Sequence, residues 1–185
     1  MKQKNTSASS STTVVKLSDT EEGAACYAFE TKLYIESIGG YDVMRITMSS
    51  DTQKLVSFRL YIEGGKVKIR HNNGGTGGTG TGDVLDYSGN VLTLAKQTWL
   101  MLRIEFYKTN SSDTTMCKFY LAEGEGELAA KAEVAAYTVY GLNSAYTPGK
   151  TTIEHYNQGN GYIMYFDDVS FKAVNKEFVS SASAD

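Results

Sequence analysis

The chain has 185 residues, a length that suits one domain burying roughly 70% of the surface its unfolded form would expose. Hydrophobic residues make up 41% and charged ones 21%, with a formal charge of −3, which excludes the broad positive field that holds nucleic acid and argues against a polyanion partner. With 18 glycines, 13 tyrosines and one proline, the composition suits many strands joined by glycine turns and argues against long helices.

Residues 1–13 are rich in Ser and Thr without periodicity and read as an N-terminal arm. They contain no apolar run of the length a secretory signal needs, and no stretch of the chain is apolar enough to span a bilayer, so membrane insertion is not expected. A single β-sandwich domain is expected over 14–174, followed by a C-terminal tail at 175–185. Val14 to Leu17 is a short strand candidate. Cys26 to Glu36 alternates with Tyr27, Phe29, Thr31, Leu33 and Ile35 inward, and Gly39-Gly40 closes it. Val43 to Ser49, Leu55 to Glu63 and Lys66 to His71 follow as an antiparallel meander, with Gly64-Gly65 as a two-residue hairpin turn. Asn72 to Gly82, NNGGTGGTGTG, reads as a surface loop. It lacks the Lys-Ser/Thr pair and following helix that a phosphate-binding loop needs.

Val91 to Leu94, Thr115 to Leu121, Leu128 to Val139, Thr151 to His155 and Tyr162 to Phe171 supply further strands, and Glu127 to Ala136 has the Ala and Glu content of a short helix as an alternative. The clearest strand is QTWLMLRIEFY, Gln97 to Tyr107. Leu100, Leu102, Ile104 and Phe106 take one side, while Trp99, Met101, Arg103, Glu105 and Tyr107 take the other.

No catalytic constellation stands out. His71 and His155 lie far apart with no Cys or Asp at metal spacing, and no nucleophile elbow occurs. Glu123, Glu125 and Glu127 are separated by glycines and read as a solvated turn, since paired carboxylates for sugar hydrolysis must be held rigidly across a cleft. Cys26 and Cys117 fall on opposite strand parities and read as two free packing residues.

QTWLMLRIEFY, the strand CKFYLAE and the terminal GYIMYFDDVSF together resemble the concanavalin A-like lectin/glucanase jelly roll, in particular bacterial laminin-G-like modules, over roughly Val14 to Val174. The resemblance implies an all-β antiparallel sandwich. The glucanase branch of that family carries a Glu-x-Asp-x-x-Glu strand, which has no counterpart here, so the expectation is a chain that is not an enzyme. Family members also have a strand ahead of the one matched by Val14 to Leu17, beside the final DDV strand. Either the Ser-rich arm folds back into that place or a neighbouring subunit covers the edge. Trp99 falls where this family packs a structural tryptophan, which implies a place in the core.

Arg45, Arg59, Arg70 and Arg103 share an outward parity on four predicted strands with Tyr61, Glu105 and Tyr107. The expected glycan site is therefore Tyr61, Tyr107, Arg59 and Arg103, with Tyr rings stacking on sugar and Arg bonding hydroxyls; the competing reading is a plain cross-strand charge ladder. Asp167 and Asp168 point oppositely along a strand and cannot both chelate one ion without a bulge, so structural calcium is not favoured and no cofactor is expected. The functional expectation is a lectin-like surface module that binds glycans or cell-surface polysaccharide, or mediates attachment. The alternative is a structural decoration or assembly protein of a bacteriophage virion. Either would work in a homo-oligomer or larger assembly, as a virion component or a piece of an extracellular protein.

Overall fold

The computed structural model describes residues 2–5, 11–18, 24–37, 42–71, 82–109, 114–137, 148–155, 162–174 and 176–180. Thirteen strands run through them: β1 (Lys2–Asn5), β2 (Ser11–Lys16), β3 (Cys26–Ser37), β4 (Asp42–Ser49), β5 (Lys54–Glu63), β6 (Lys66–His71), β7 (Gly82–Asp83), β8 (Thr93–Leu94), β9 (Trp99–Tyr107), β10 (Thr114–Glu123), β11 (Ala129–Tyr137), β12 (Lys150–His155) and β13 (Tyr162–Val174). A six-stranded sheet takes the order β1-β13-β3-β9-β10-β11, and a seven-stranded sheet the order β2-β12-β4-β5-β6-β7 with β8 also on β6. Every pairing is antiparallel.

Alternation in the sequence becomes burial in the structure. Tyr27, Phe29, Thr31, Leu33 and Ile35 on β3 are buried, as are Leu100, Leu102, Ile104 and Phe106 on β9, while Lys32 and Glu36 are exposed. The seven-stranded sheet answers with Ile46, Met48, Phe58, Leu60, Val67, Ile69 and Ile153. The seam between the sheets is aromatic. Phe58 of β5 meets Phe119 of β10 edge-on at 4.8 Å between ring centroids and Phe106 of β9 at 6.3 Å.

The expected turn at Gly64-Gly65 is present. Both residues have positive φ, 58° and 74°, between the closing pair Glu63 and Lys66, the left-handed backbone a two-residue hairpin demands. Cys26 and Cys117 are free and buried, paired across their strands with Tyr107 and Phe106 respectively, so they point to opposite faces. The loop expectation for Asn72 to Gly82 lies outside the described residues except for Gly82, which pairs with His71.

Two open alternatives are decided, and part of the tail is placed. The Glu127 to Ala136 helix does not form: Ala129–Tyr137 is a strand whose Ala132 and Ala136 pack inward, so burial of one face overrides alanine's helical preference. Part of the arm folds back. Lys2–Asn5 pairs with Tyr162–Tyr165 of β13, filling the place left open beside the last strand. Residues 176–180 of the expected tail lie against the outer face of the six-stranded sheet, with Phe178 at 5.2 Å from Tyr107 between ring centroids and the Lys118 Nζ donating to the Val179 carbonyl. Paired strand and packed cover thus extend on both sides of 14–174.

The core seam yields a direct test. Phe58→Ala removes a side chain that touches both rings of the opposite sheet, and is expected to cost about 3–5 kcal/mol in urea unfolding. A loss below about 1 kcal/mol would show that Phe58 does not tie the sheets together.

Candidate functional site

The structure separates the residues that parity groups. Arg59 and Tyr61 lie on β5 of the seven-stranded sheet, while Arg103 and Tyr107 lie on β9 of the six-stranded one. Each pair faces away from the core, so the two pairs occupy opposite outer faces of the sandwich. A single site made of all four is therefore corrected: outward parity fixes the side of a sheet but not which sheet carries it.

Neither tyrosine offers an open ring face. Tyr61 is 5% exposed; its hydroxyl donates to Asp83 Oδ1 at 2.6 Å, and the Arg70 guanidinium lies 3.7 Å over its ring. Tyr107 is 1% exposed beneath Phe178.

Beneath the same C-terminal cover sits Glu105, also 1% exposed. Its carboxylate accepts hydrogen bonds from the hydroxyls of Tyr107 and Tyr120 and from Lys176 Nζ at 3.0 Å, and pairs with Arg103 at 2.8 Å. Burial pushes the carboxyl pKa up, but the donors Tyr107, Lys176 and Tyr120 and the Arg103 charge outweigh it and hold it below the ordinary carboxylate value. Burial, then the bond to Glu105, pushes the Tyr107 phenol up. Cys26 is pushed up to about 12, chiefly by burial and next by the Glu105 charge, so its thiol stays protonated at neutral pH. These groups brace that end of the sheet.

Lower on the same face a groove of about 600 Å³ opens. Register builds its floor: Asp167 of β13, Lys32 of β3, Met101 of β9 and Ala122 of β10 stand side by side across four strands. The small Ala122 side chain leaves a hollow. Glu30 lines one end and Trp99 the other, while Gly124, Glu125, Gly126 and Leu128 form a wall. Gly124 takes positive φ, 58°, as its N–H donates to the Trp99 carbonyl, which fastens the wall to the tryptophan's strand.

Trp99, expected in the core, is 43% exposed on the outward parity. Its ring packs on Tyr34 at 5.6 Å, and Tyr34 meets Tyr165 edge-on at 5.8 Å, giving an aromatic row across β9, β3 and β13. The Tyr165 hydroxyl donates to Glu36 Oε2 at 2.6 Å. Arg103 borders the groove by pairing with Glu30 at 3.6 Å.

A register shift between Asp167 and Ser170 bends β13 at this point. Asp168 takes positive φ, 49°, and pairs with Lys32 at 2.6 Å, leaving Asp167 to the groove. Among the described residues no group of three or more His, Cys, Asp or Glu is placed to hold a metal ion. The acidic turn is exposed as expected, yet Glu125 stands in the groove wall across from an aromatic ring, a neighbour that reading the turn locally did not supply.

No family model and no characterised protein matches the chain by sequence. Solved structures match by shape. A GH43 glycoside hydrolase engineered to show endo-xylanase and exo-arabinofuranosidase activity superposes at TM-score 0.51 with 13% identity, over 87% of this chain and 34% of its own. The fold is the concanavalin A-like jelly roll. Peanut lectin solved with a nine-residue peptide matches at TM-score 0.49 with 9% identity, over 91% of this chain and 81% of its own. The carbohydrate-binding module CBM66 from Bacillus subtilis matches at 0.42 with 14% identity, over 80% and 76%. This chain spans about a third of the GH43 structure's length.

The expectation that the chain is not an enzyme is overturned by the same likeness, since this jelly roll also occurs in a glycoside hydrolase. Lack of a Glu-x-Asp-x-x-Glu string does not separate a binder from a catalyst on this fold. Nothing in these likenesses supports the virion alternative or an oligomer.

The Glu105 cluster predicts a pH dependence. Its folded pKa lies below its unfolded one, so the stabilisation is complete above the ordinary carboxylate value and is lost as pH falls through the folded value. Glu105→Gln is expected to lower stability by about 1–3 kcal/mol at neutral pH and to flatten the acid limb of the stability curve. Urea midpoints measured from neutral to acid pH check this, and an acid limb as steep in the variant as in the parent would refute it.

Proposed function

We propose that the chain recognises carbohydrate in the groove of the six-stranded sheet. The exposed ring of Trp99 at the end of a 600 Å³ hollow carries this reading. A pyranose presents a flat array of C–H bonds on one face and hydroxyls around its rim. An amphipathic aromatic ring takes the first, and carboxylates take the second as acceptors of charge-assisted hydrogen bonds. Trp99, backed by Tyr34, supplies the platform; Glu30, Asp167 and Glu125 supply acceptors, and Lys32 a donor.

Of the residues nominated by parity, Arg103 acts here by holding Glu30 in place. Arg59 and Tyr61 belong to the other face, and Tyr107 braces Glu105. An open groove closed by a turn rather than by a deep pocket suits a stretch of chain in an oligosaccharide better than a single small molecule.

Trp99 is the sole tryptophan, so its fluorescence reports the site without interference. Titration with xylo-, arabino- and gluco-oligosaccharides is expected to give a saturable change with at least one of them. Trp99→Ala is expected to weaken binding of that sugar about tenfold by calorimetry, the worth of one stacked ring. Release of new reducing ends from the bound sugar, followed in the same samples, reads out cleavage. No saturable response to any of these sugars, or affinity unchanged in Trp99→Ala, would overturn the proposal.

A further inference from the structure

Two rows of side chains cross the groove side by side. Trp99 of β9, Tyr34 of β3 and Tyr165 of β13 are direct cross-strand partners, and two residues along the same strands Met101, Lys32 and Asp167 are partners in turn. Such rows lie roughly 7 Å apart, two residues of strand rise, so one sugar ring can reach both. Along the strands the surroundings differ. Beyond Met101 on β9 comes Arg103, paired with Glu30 at 3.6 Å and with Glu105 at 2.8 Å, and then Glu105 itself, bonded to Lys176 at 3.0 Å. A chain laid that way meets groups already bonded to one another and the C-terminal cover, whereas a chain laid across the strands meets rings.

The rings are held, and they are not parallel. Trp99 is exposed and Tyr34 and Tyr165 are half-buried; the Trp99 and Tyr34 planes are 51° apart, and the Tyr34 and Tyr165 planes 77°. The Tyr165 hydroxyl is anchored on Glu36 at 2.6 Å, which keeps its ring in that setting. Contact with a sugar face follows the plane of each ring, so three rings turned against one another cannot lie flush on the flat face of a packed polysaccharide crystal. They match a single chain whose successive residues are rotated about its length. At a strand spacing of about 4.8 Å the rings succeed one another at roughly the interval of one sugar residue. The wall of Gly124, Glu125, Gly126 and Leu128 keeps a flat surface off the floor as well.

We propose that the groove takes one soluble, twisted polysaccharide chain lying across the strands, with about three sugar residues in contact with Trp99, Tyr34 and Tyr165, and rejects the flat face of a crystalline polysaccharide. This rests on the carbohydrate reading of the groove and adds the direction, the length and the physical form of the ligand. Along that path the second row faces one rim of hydroxyls. Asp167 offers acceptors there, and Lys32, whose ammonium pairs with Asp168 at 2.6 Å, keeps further N–H donors for the sugar.

Calorimetry of the full chain with oligomers from disaccharide to hexasaccharide, made of whichever sugar saturates the Trp99 fluorescence, tests it beside sedimentation with microcrystalline cellulose. Affinity is expected to rise up to the trisaccharide and level off beyond it, and the protein is expected to stay in solution when the cellulose is spun down. Tyr165→Ala is expected to weaken the trisaccharide about threefold to tenfold and to leave the disaccharide unchanged, while Tyr165→Phe keeps the ring and with it the trisaccharide affinity. Trp99→Ala is expected to weaken both. Circular dichroism melting confirms that each variant is folded; if Tyr165→Ala is not, Tyr165→Leu, which keeps bulk without a flat ring, replaces it. A trisaccharide no tighter than the disaccharide, trisaccharide affinity indifferent to loss of the Tyr165 ring, or sedimentation with the cellulose overturns this inference and leaves the carbohydrate reading standing. No response to any oligomer overturns both.

Discussion

The contact on which the rest of the molecule depends is the aromatic seam between the sheets. Phe58 from one sheet presses edge-on against Phe119 of the other and lies beside Phe106, and the aliphatic rows on either side close around them. Once that seam is fixed, the two-residue period of every strand decides what faces outward. Trp99, Arg103 and Glu105 are outward because Leu100, Leu102 and Ile104 are inward, and the same constraint lines up Arg45, Arg59 and Arg70 behind Ile46, Phe58 and Ile69. Both surface chemistries are by-products of one interior arrangement.

Such local alternation is legible in a sequence because it is written residue by residue. Inward and outward sets on β3, β5 and β9, the Gly64-Gly65 turn and the opposite facing of the two cysteines all follow from it. Sheet membership does not. Tyr61 and Tyr107 have equivalent patterns around them, yet β5 and β9 close different sheets, and only pairings between segments far apart in sequence say so. Exposure along one strand was equally hidden. Trp99 and Tyr107 share a parity, but a segment seventy residues further on covers the tyrosine and leaves the tryptophan open. The aromatic row of Tyr165, Tyr34 and Trp99 could have been found by asking which outward rings become neighbours once β13, β3 and β9 are set side by side.

The two outer faces differ in how they handle charge. On the six-stranded sheet one carboxylate, Glu105, gathers donors from β9, β10 and the C-terminal segment, and its charge is matched locally. On the seven-stranded sheet three cations are strung across neighbouring strands and carboxylates stand at the two ends of the row. The first arrangement ties segments together, as buried networks do when every member is satisfied.

The places of the first two strands bear on the order in which the protein can be made. β1 pairs with β13 and β2 pairs with β12, so these two strands find their backbone partners in segments made long after them. Most of the sandwich can gather first around β3 to β11, whose neighbours are nearer in sequence, while the leading segment waits. Closing both sheet edges is then a late step that joins segments far apart in sequence, the kind of long-range pairing that slows folding. A ribosome that stalls before β12 leaves an intermediate with two bare strand edges, open to pairing with a second nascent copy.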